Sequence, residues 1–283
     1  MTAISLSGKE LAASLRARAK ETADTLTAAG TPPKLAVVVA TDDGSSLWYV
    51  RSIAKAAAKS GIECDVVDLG ADTTAEEIRR TLETLSADDT VHGIILQTPL
   101  PEGATAADLA GTIDPAKDVD GANPASLGRL AARLPAFAPA TAEAVMALLD
   151  HHGVPLAGRH AVVIGRSTVV GVPAAQLLLA RDATVSVCHS RTADLPGMTR
   201  QADVLVVAVG RAGMVTARHV APGTVVIDVG TNPTEDGGLA GDVAPEVSEV
   251  AGALTPVPGG VGPVTTALLL GHTVDAASLL SQR

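Results

Sequence analysis

Short valine-rich runs that are almost wholly apolar alternate along this chain with longer stretches whose apolar residues recur at helical spacing. In the first half, the runs at 35–40, 64–69 and 93–97 predict strands, and the stretches at 7–28, 45–59 and 74–85 predict helices. In the second half, strands are predicted at 160–164, 184–188, 204–209 and 224–229, with a closing helix over 266–280. Strands apolar at every position, rather than at alternate ones, fit a parallel sheet covered by helices on both faces. The alternation of strand and helix predicts a doubly wound α/β class. Two stretches rich in Pro and Gly break the rhythm, 115–141 and 255–265, and the first is the expected domain boundary.

Composition narrows the picture. The 283 residues are 47% hydrophobic and 18% charged, which is globular, and aromatics at 1% leave the core to Ala, Val, Leu and Ile. No apolar run is long enough to span a bilayer, and the N-terminus lacks the basic-then-apolar shape of a signal peptide. Cys64 and Cys188 have no CxxC partner, so neither a disulfide nor a metal site is expected and a cytoplasmic setting fits. A net charge of −10 without a basic tract argues against nucleic acid as a partner.

The strand at 160–164 runs into Gly165-Arg166-Ser167-Thr168-Val169-Val170-Gly171 and then a helix. A glycine turn between strand and helix aims helix N-terminal N–H groups at a phosphate, although this spacing is not GxGxxG. The next strand ends in Cys188-His189-Ser190-Arg191, without the carboxylate that an NAD site uses for the ribose 2′-hydroxyl. Ser190 and Arg191, with Arg166 from the turn, suit a 2′-phosphate and favour NADP.

Four more clusters gain meaning together: Ser46-Leu47-Trp48-Tyr49-Val50, Gln97-Thr98-Pro99-Leu100-Pro101, Lys117-Asp118-Val119-Asp120-Gly121, and Thr255-Pro256-Val257-Pro258-Gly259-Gly260-Val261-Gly262-Pro263. In this order, with the glycine turn and Val226-Ile227-Asp228-Val229-Gly230-Thr231-Asn232 around the last strand, the chain resembles the methylenetetrahydrofolate dehydrogenase/cyclohydrolase family (FolD-type enzymes) from about residue 6 to residue 280. The resemblance implies two α/β domains with a substrate cleft between them. Residues 1–140 plus 264–283 would bind folate, and 141–263 would form a Rossmann-like NADP domain through which the family's homodimer assembles. It further implies Tyr49, Gln97 and Asp120 as catalytic residues. Tyr49 would offer its ring to the p-aminobenzoyl group, Gln97 would bond near the reacting centre, and Asp120 would take the pterin's amino–amidine edge. Asp118 would only shape the loop. Position 53, Pro258, Gly259 and Gly262 would complete the tetrahydrofolate pocket. Gly165, Arg166, Ser167, Ser190, Arg191 and Thr231 would hold NADP.

The sequence departs from the family pattern Tyr-Val-x-x-Lys at one position, where Ile53 stands for the lysine that serves hydrolysis of the methenyl group. An alkyl chain moves no proton. Lys55 is about 200° round the helix from position 53, and Arg51 stays protonated. The expectation is therefore an NADP-dependent dehydrogenase with cyclohydrolase activity lost or weak. A fully bifunctional enzyme, in which another group or water replaces the lysine, and a non-catalytic binding protein remain the alternatives. Ala122 and Ala140, where the family has an aromatic and a cysteine, point to a reshaped pocket rim.

Overall fold

The computed structural model describes residues 2–282. In chain order the elements are β1 (Ile4–Ser5), α1 (Lys9–Ala28), β2 (Lys34–Val39), α2 (Gly44–Lys59), β3 (Glu63–Asp68), α3 (Ala75–Ala87), β4 (Gly93–Leu96), α4 (Ala106–Ala110), α5 (Pro124–Ala131) and α6 (Ala140–His151). They continue with β5 (His160–Ile164), α7 (Gly171–Ala180), β6 (Thr184–Cys188), α8 (Leu195–Thr199), β7 (Val204–Val207), β8 (Val225–Asp228), β9 (Asn232–Pro233), β10 (Leu239–Ala240), β11 (Ala253–Leu254) and α9 (Val261–Leu280). The chain folds as two compact α/β units, residues 13–140 with 266–283, and residues 1–12 with 141–265.

In the first of these units, β2 lies between β3 and β4 in a parallel sheet. Its Leu35, Val37 and Val39 face one apolar cluster, with Val50, Ile53 and Ala57 of α2 and Leu269, Leu270 and Val274 of α9. Ala36 and Val38 face another, with Ile78 and Leu82 of α3. Burial on both faces is what makes this strand read as an unbroken apolar run. The backbone of Ile94 also bridges to Asp118, so the 117–121 loop leaves the sheet beside β4.

In the second unit the sheet is wholly parallel, in the order β1-β11-β8-β7-β5-β6. The connection from β6 to β7 passes over β5, so strand order reverses between β5 and β7. That switch point, outside the carboxyl ends of the strands, is where doubly wound sheets bind ligands.

Two features differ from the sequence expectation. The first domain was expected to begin at residue 1, but Ile4 and Ser5 pair with Ala253 and Leu254 and add a strand to the other unit. The 115–141 stretch, read as loop-rich, contains α5, whose N-terminus is capped by the side chain of Asn123. Among the described residues, no helix is long and apolar enough to cross a membrane.

Candidate active site

On the 13–140/266–283 unit, Tyr49 is half-buried on α2 and hydrogen-bonded with Thr266 of α9. Burial, and then the charge of Asp120, push its hydroxyl up to about 12, so the phenol stays protonated. Asp120 is half-buried beside it. Burial first, and then the neighbouring charge of Asp118, raise its carboxyl to about 7, with His272 pulling the other way. No hydrogen bond reaches the Asp120 carboxylate among the described residues.

Asp118, two residues earlier, is fully buried and saturated. It accepts from the N–H groups of Ala122 and Asn123, both at 2.9 Å, and from the Ser126 hydroxyl at 2.7 Å. These bonds shape the loop and anchor the start of α5, the role expected of it. Lys117 is structural too. Its Nζ donates to the carbonyls of Ser86 (2.8 Å) and Asp88 (2.7 Å), which satisfies the exposed end of α3. Gly121, which follows Asp120, has φ +65°, and a Cβ there would lie 2.4 Å from the Pro139 nitrogen, so only glycine lets the loop turn here.

Gln97 leaves the end of β4, half-buried, with its amide nitrogen 2.7 Å from the Thr98 carbonyl. The Ser46 hydroxyl donates to the same carbonyl at 3.1 Å, which ties the start of α2 to this loop. Tyr49 in the second turn of α2, Gln97 just past β4 and Asp120 in the 117–121 loop thus belong to one unit. Ile53, expected beside them, is 0% exposed and packed in the apolar cluster under α2.

On the other unit, Gly165 stands at the switch point with φ +121°, and a Cβ there would lie 2.2 Å from the carbonyl oxygen of Ala208 at the end of β7. The wide glycine spacing has a geometric cause: a Cβ on Gly171 would meet the Gly165 carbonyl at 2.3 Å, so the turn closes on itself between them. The Ser167 hydroxyl accepts from Val170 N–H at 3.2 Å, and Arg166 and Ser167 are exposed. Ser190, Arg191 and Thr231 are exposed beyond the ends of β6 and β8. Pro258 is exposed, Gly259 buried, and Gly262 exposed in the first turn of α9.

Sequence reasoning missed two residues that build this edge. Asp242, 0% exposed, accepts from the N–H groups of Val209 (2.7 Å), Gly210 (2.9 Å) and Arg211 (2.8 Å), and from the Asn232 side chain (2.9 Å). Asp228 accepts from the N–H groups of Gly230, Asp242 and Val243 at 2.9, 2.9 and 3.0 Å. Burial raises Asp228 to about 6 despite those bonds. Together the two carboxylates fasten the loops that follow β7 and β8. The only sequence signal was an Asp ending a strand in the Asp228–Asn232 motif.

A parallel sheet with a glycine turn at its switch point defines a dinucleotide-binding α/β protein, here joined to a second α/β unit that carries an unsaturated carboxylate. The family models agree: residues 6–120 match the tetrahydrofolate dehydrogenase/cyclohydrolase catalytic domain, and residues 139–281 match the NAD(P)-binding domain of the same enzymes. The chain belongs to the tetrahydrofolate dehydrogenase/cyclohydrolase family. It is 70% identical over 274 residues to the bifunctional protein FolD 1 of Saccharopolyspora erythraea, covering 96% of this chain and 94% of that one. Among solved structures it resembles the bifunctional FolD of Campylobacter jejuni (42% identity, TM-score 0.93, 97% and 98% covered). It also resembles the FolD of Trypanosoma brucei complexed with NADP and an inhibitor (36% identity, TM-score 0.94, 100% of both chains).

These relatives overturn one expectation. A chain with 70% identity to a bifunctional FolD is not set apart as a dehydrogenase that has lost the second reaction. The alkyl side chain at position 53 is part of the apolar core under α2.

Proposed function

We propose that the chain is a bifunctional enzyme that oxidises 5,10-methylenetetrahydrofolate with NADP and hydrolyses the methenyl product to 10-formyltetrahydrofolate. The observation that carries this is the contrast between two adjacent carboxylates. Asp118 is saturated by three protein donors, whereas Asp120, half-buried beside a protonated tyrosine, keeps both oxygens for a ligand. A pterin's amino–amidine edge is a planar pair of donors that a carboxylate matches.

Asp120 binds that edge in this reading, the Tyr49 ring supports the p-aminobenzoyl group, and Gln97 bonds near the bridging carbon. Pro258, Gly259 and Gly262 serve as further pocket residues. Gly165, Arg166, Ser167, Ser190, Arg191 and Thr231 hold the dinucleotide. The close approach at Gly165 and the absence of a carboxylate from 188–192 both fit a phosphorylated ribose. Bound NADP supplies the nicotinamide carbon that accepts the hydride. The C–H bond of the methylene bridge breaks with its electron pair, and the resulting cation is shared by N5 and N10. That step asks the chain for positioning rather than for acid or base. In the second reaction water adds to the methenyl carbon and loses both its protons as the formyl C=O forms and the bond from that carbon to N5 breaks; one proton ends on N5 and the other is released.

The enzyme works in this reading as a cytoplasmic homodimer. Two unpaired thiols support the compartment, and exposed Val172, Leu179 and Val187 on α7 and the edge strand β6 support the assembly. The test is to supply the purified chain with methylenetetrahydrofolate and NADP and follow NADPH and 10-formyltetrahydrofolate together. Both products are expected. NADPH accumulating with methenyl product alone, or neither product, would refute the reading.

A further inference from the structure

Helix α9 carries a buried histidine that the reactions above do not use. His272 is 6% exposed, and its Nδ1 lies 2.7 Å from the carbonyl oxygen of Val119. A carbonyl oxygen can only accept, so Nδ1 carries the hydrogen. The carbonyl belongs to the peptide that joins Val119 to Asp120. The Phe137 ring packs against the imidazole with centroids 5.0 Å apart and planes tilted by 36°, which fixes the ring's direction.

Beyond Gly121 the loop is held by the Asp118 carboxylate, and around Asp120 itself by backbone contacts. The Asp120 carbonyl accepts from Ala140 N–H at 3.4 Å, and Gly121 abuts Ala138 and Pro139. His272 is thus the side chain that grips the peptide next to Asp120. The same helix holds Tyr49 through Thr266, six residues earlier, a rise of about 9 Å. One rigid element therefore spaces the tyrosine and the aspartate.

We propose that His272 is a positioning residue: through the Val119 carbonyl it aims the Asp120 carboxylate at the donor edge of the pterin, and it gives that carboxylate a partner able to carry positive charge. The proposal rests on the assignment of Asp120 to the pterin. The groups facing Asp120 are Asp118 from its own loop, Tyr49 from α2 and His272 from α9. Those facing His272 are Asp118 and Asp120, with Asp275 one turn along α9.

Steady-state kinetics of His272→Leu and His272→Asn, each across pH, test it. Leucine removes both donor and charge, whereas asparagine can return an N–H to the Val119 carbonyl without a titrating ring. His272→Leu is expected to raise KM for methylenetetrahydrofolate about tenfold, the worth of one buried hydrogen bond and some lost aim, with KM for NADP unchanged. His272→Asn is expected to return KM to within about twofold of the native value, while the rise of activity with Asp120 ionisation moves to higher pH. A native folate KM in His272→Leu overturns the proposal. So does an equal loss in both variants that extends to NADP, which would mark His272 as packing only. Asp120→Asn is run alongside. If it leaves folate KM unchanged, the assignment of Asp120 fails; if it raises KM and His272→Leu does not, only the positioning role fails.

Discussion

Each unit of this protein carries a pair of aspartates, all buried except the half-buried Asp120, and the two pairs are spent differently. In the nucleotide unit, Asp228 and Asp242 collect seven donors between them, six backbone N–H groups and the Asn232 amide. Both are consumed in holding loops. In the other unit, Asp118 does the same work with three donors, while Asp120 has none among the described residues. A carboxylate partly withdrawn from water without protein donors is costly unless something else supplies them. Charge is common to all four aspartates; the count of donors already spent sets Asp120 apart, and on that ground it is proposed as the ligand-binding one.

Substitutions that exchange these roles break the comparison if it is wrong. The largest effect is expected from Asp120→Ala, which removes a charge-assisted, two-point contact. kcat/KM for the folate substrate should fall by about a hundredfold or more with KM for NADP unchanged, read from steady-state rates. Next comes Asp242→Asn, which turns an amide N–H toward groups that are themselves donors. Thermal denaturation should show a loss of about 2–4 kcal/mol, accompanied by a raised KM for NADP as the loops after β7 and β8 loosen.

Stability against pH sharpens the contrast from the other side. Asp120 and Asp228 have folded values raised to about 7 and about 6, against an ordinary 3.8. The unfolded chain therefore releases these protons first. Stability from both groups is full below the ordinary value and is lost as pH climbs through the folded values. Asp120→Asn removes one of these losses, so at alkaline pH the variant should melt above the native protein, by at most about 4 kcal/mol in stability. The smallest effect is expected from Arg191→Ala at an exposed site. KM for NADP should rise about tenfold while any activity with NAD is unchanged, which narrows the cofactor preference.

Much of the scaffold was legible because its long elements carry their own pattern. The strands at 160–164 and 184–188 match β5 and β6 end to end, and α2 and α3 begin within one residue of their expected starts. What escaped is short or depends on distant partners. The two-residue strands β1 and β11 exist only because they pair with each other and with β8. Helix α5 stands in a stretch rich in Gly and Pro and is anchored by Asp118, whose reach to Asn123 and Ser126 no local pattern displays. Within the site, residue types and strand-end positions could be read, but the difference between Asp118 and Asp120 could not, since it lies in hydrogen bonds made across the loop. Asp242 escaped for the same reason, its donors standing 31 to 33 residues upstream on the backbone. Ile53 shows the opposite error: one missing functional group was given more weight than a core-facing position can bear.

The most direct measurement is an equilibrium titration of reduced folate into the native protein and into Asp120→Asn, repeated from acid to alkaline pH. Native affinity should rise as Asp120 ionises around its value of about 7, whereas the variant should bind weakly and without that rise. A variant that binds as tightly as the native protein, with the same dependence on pH, would contradict the account.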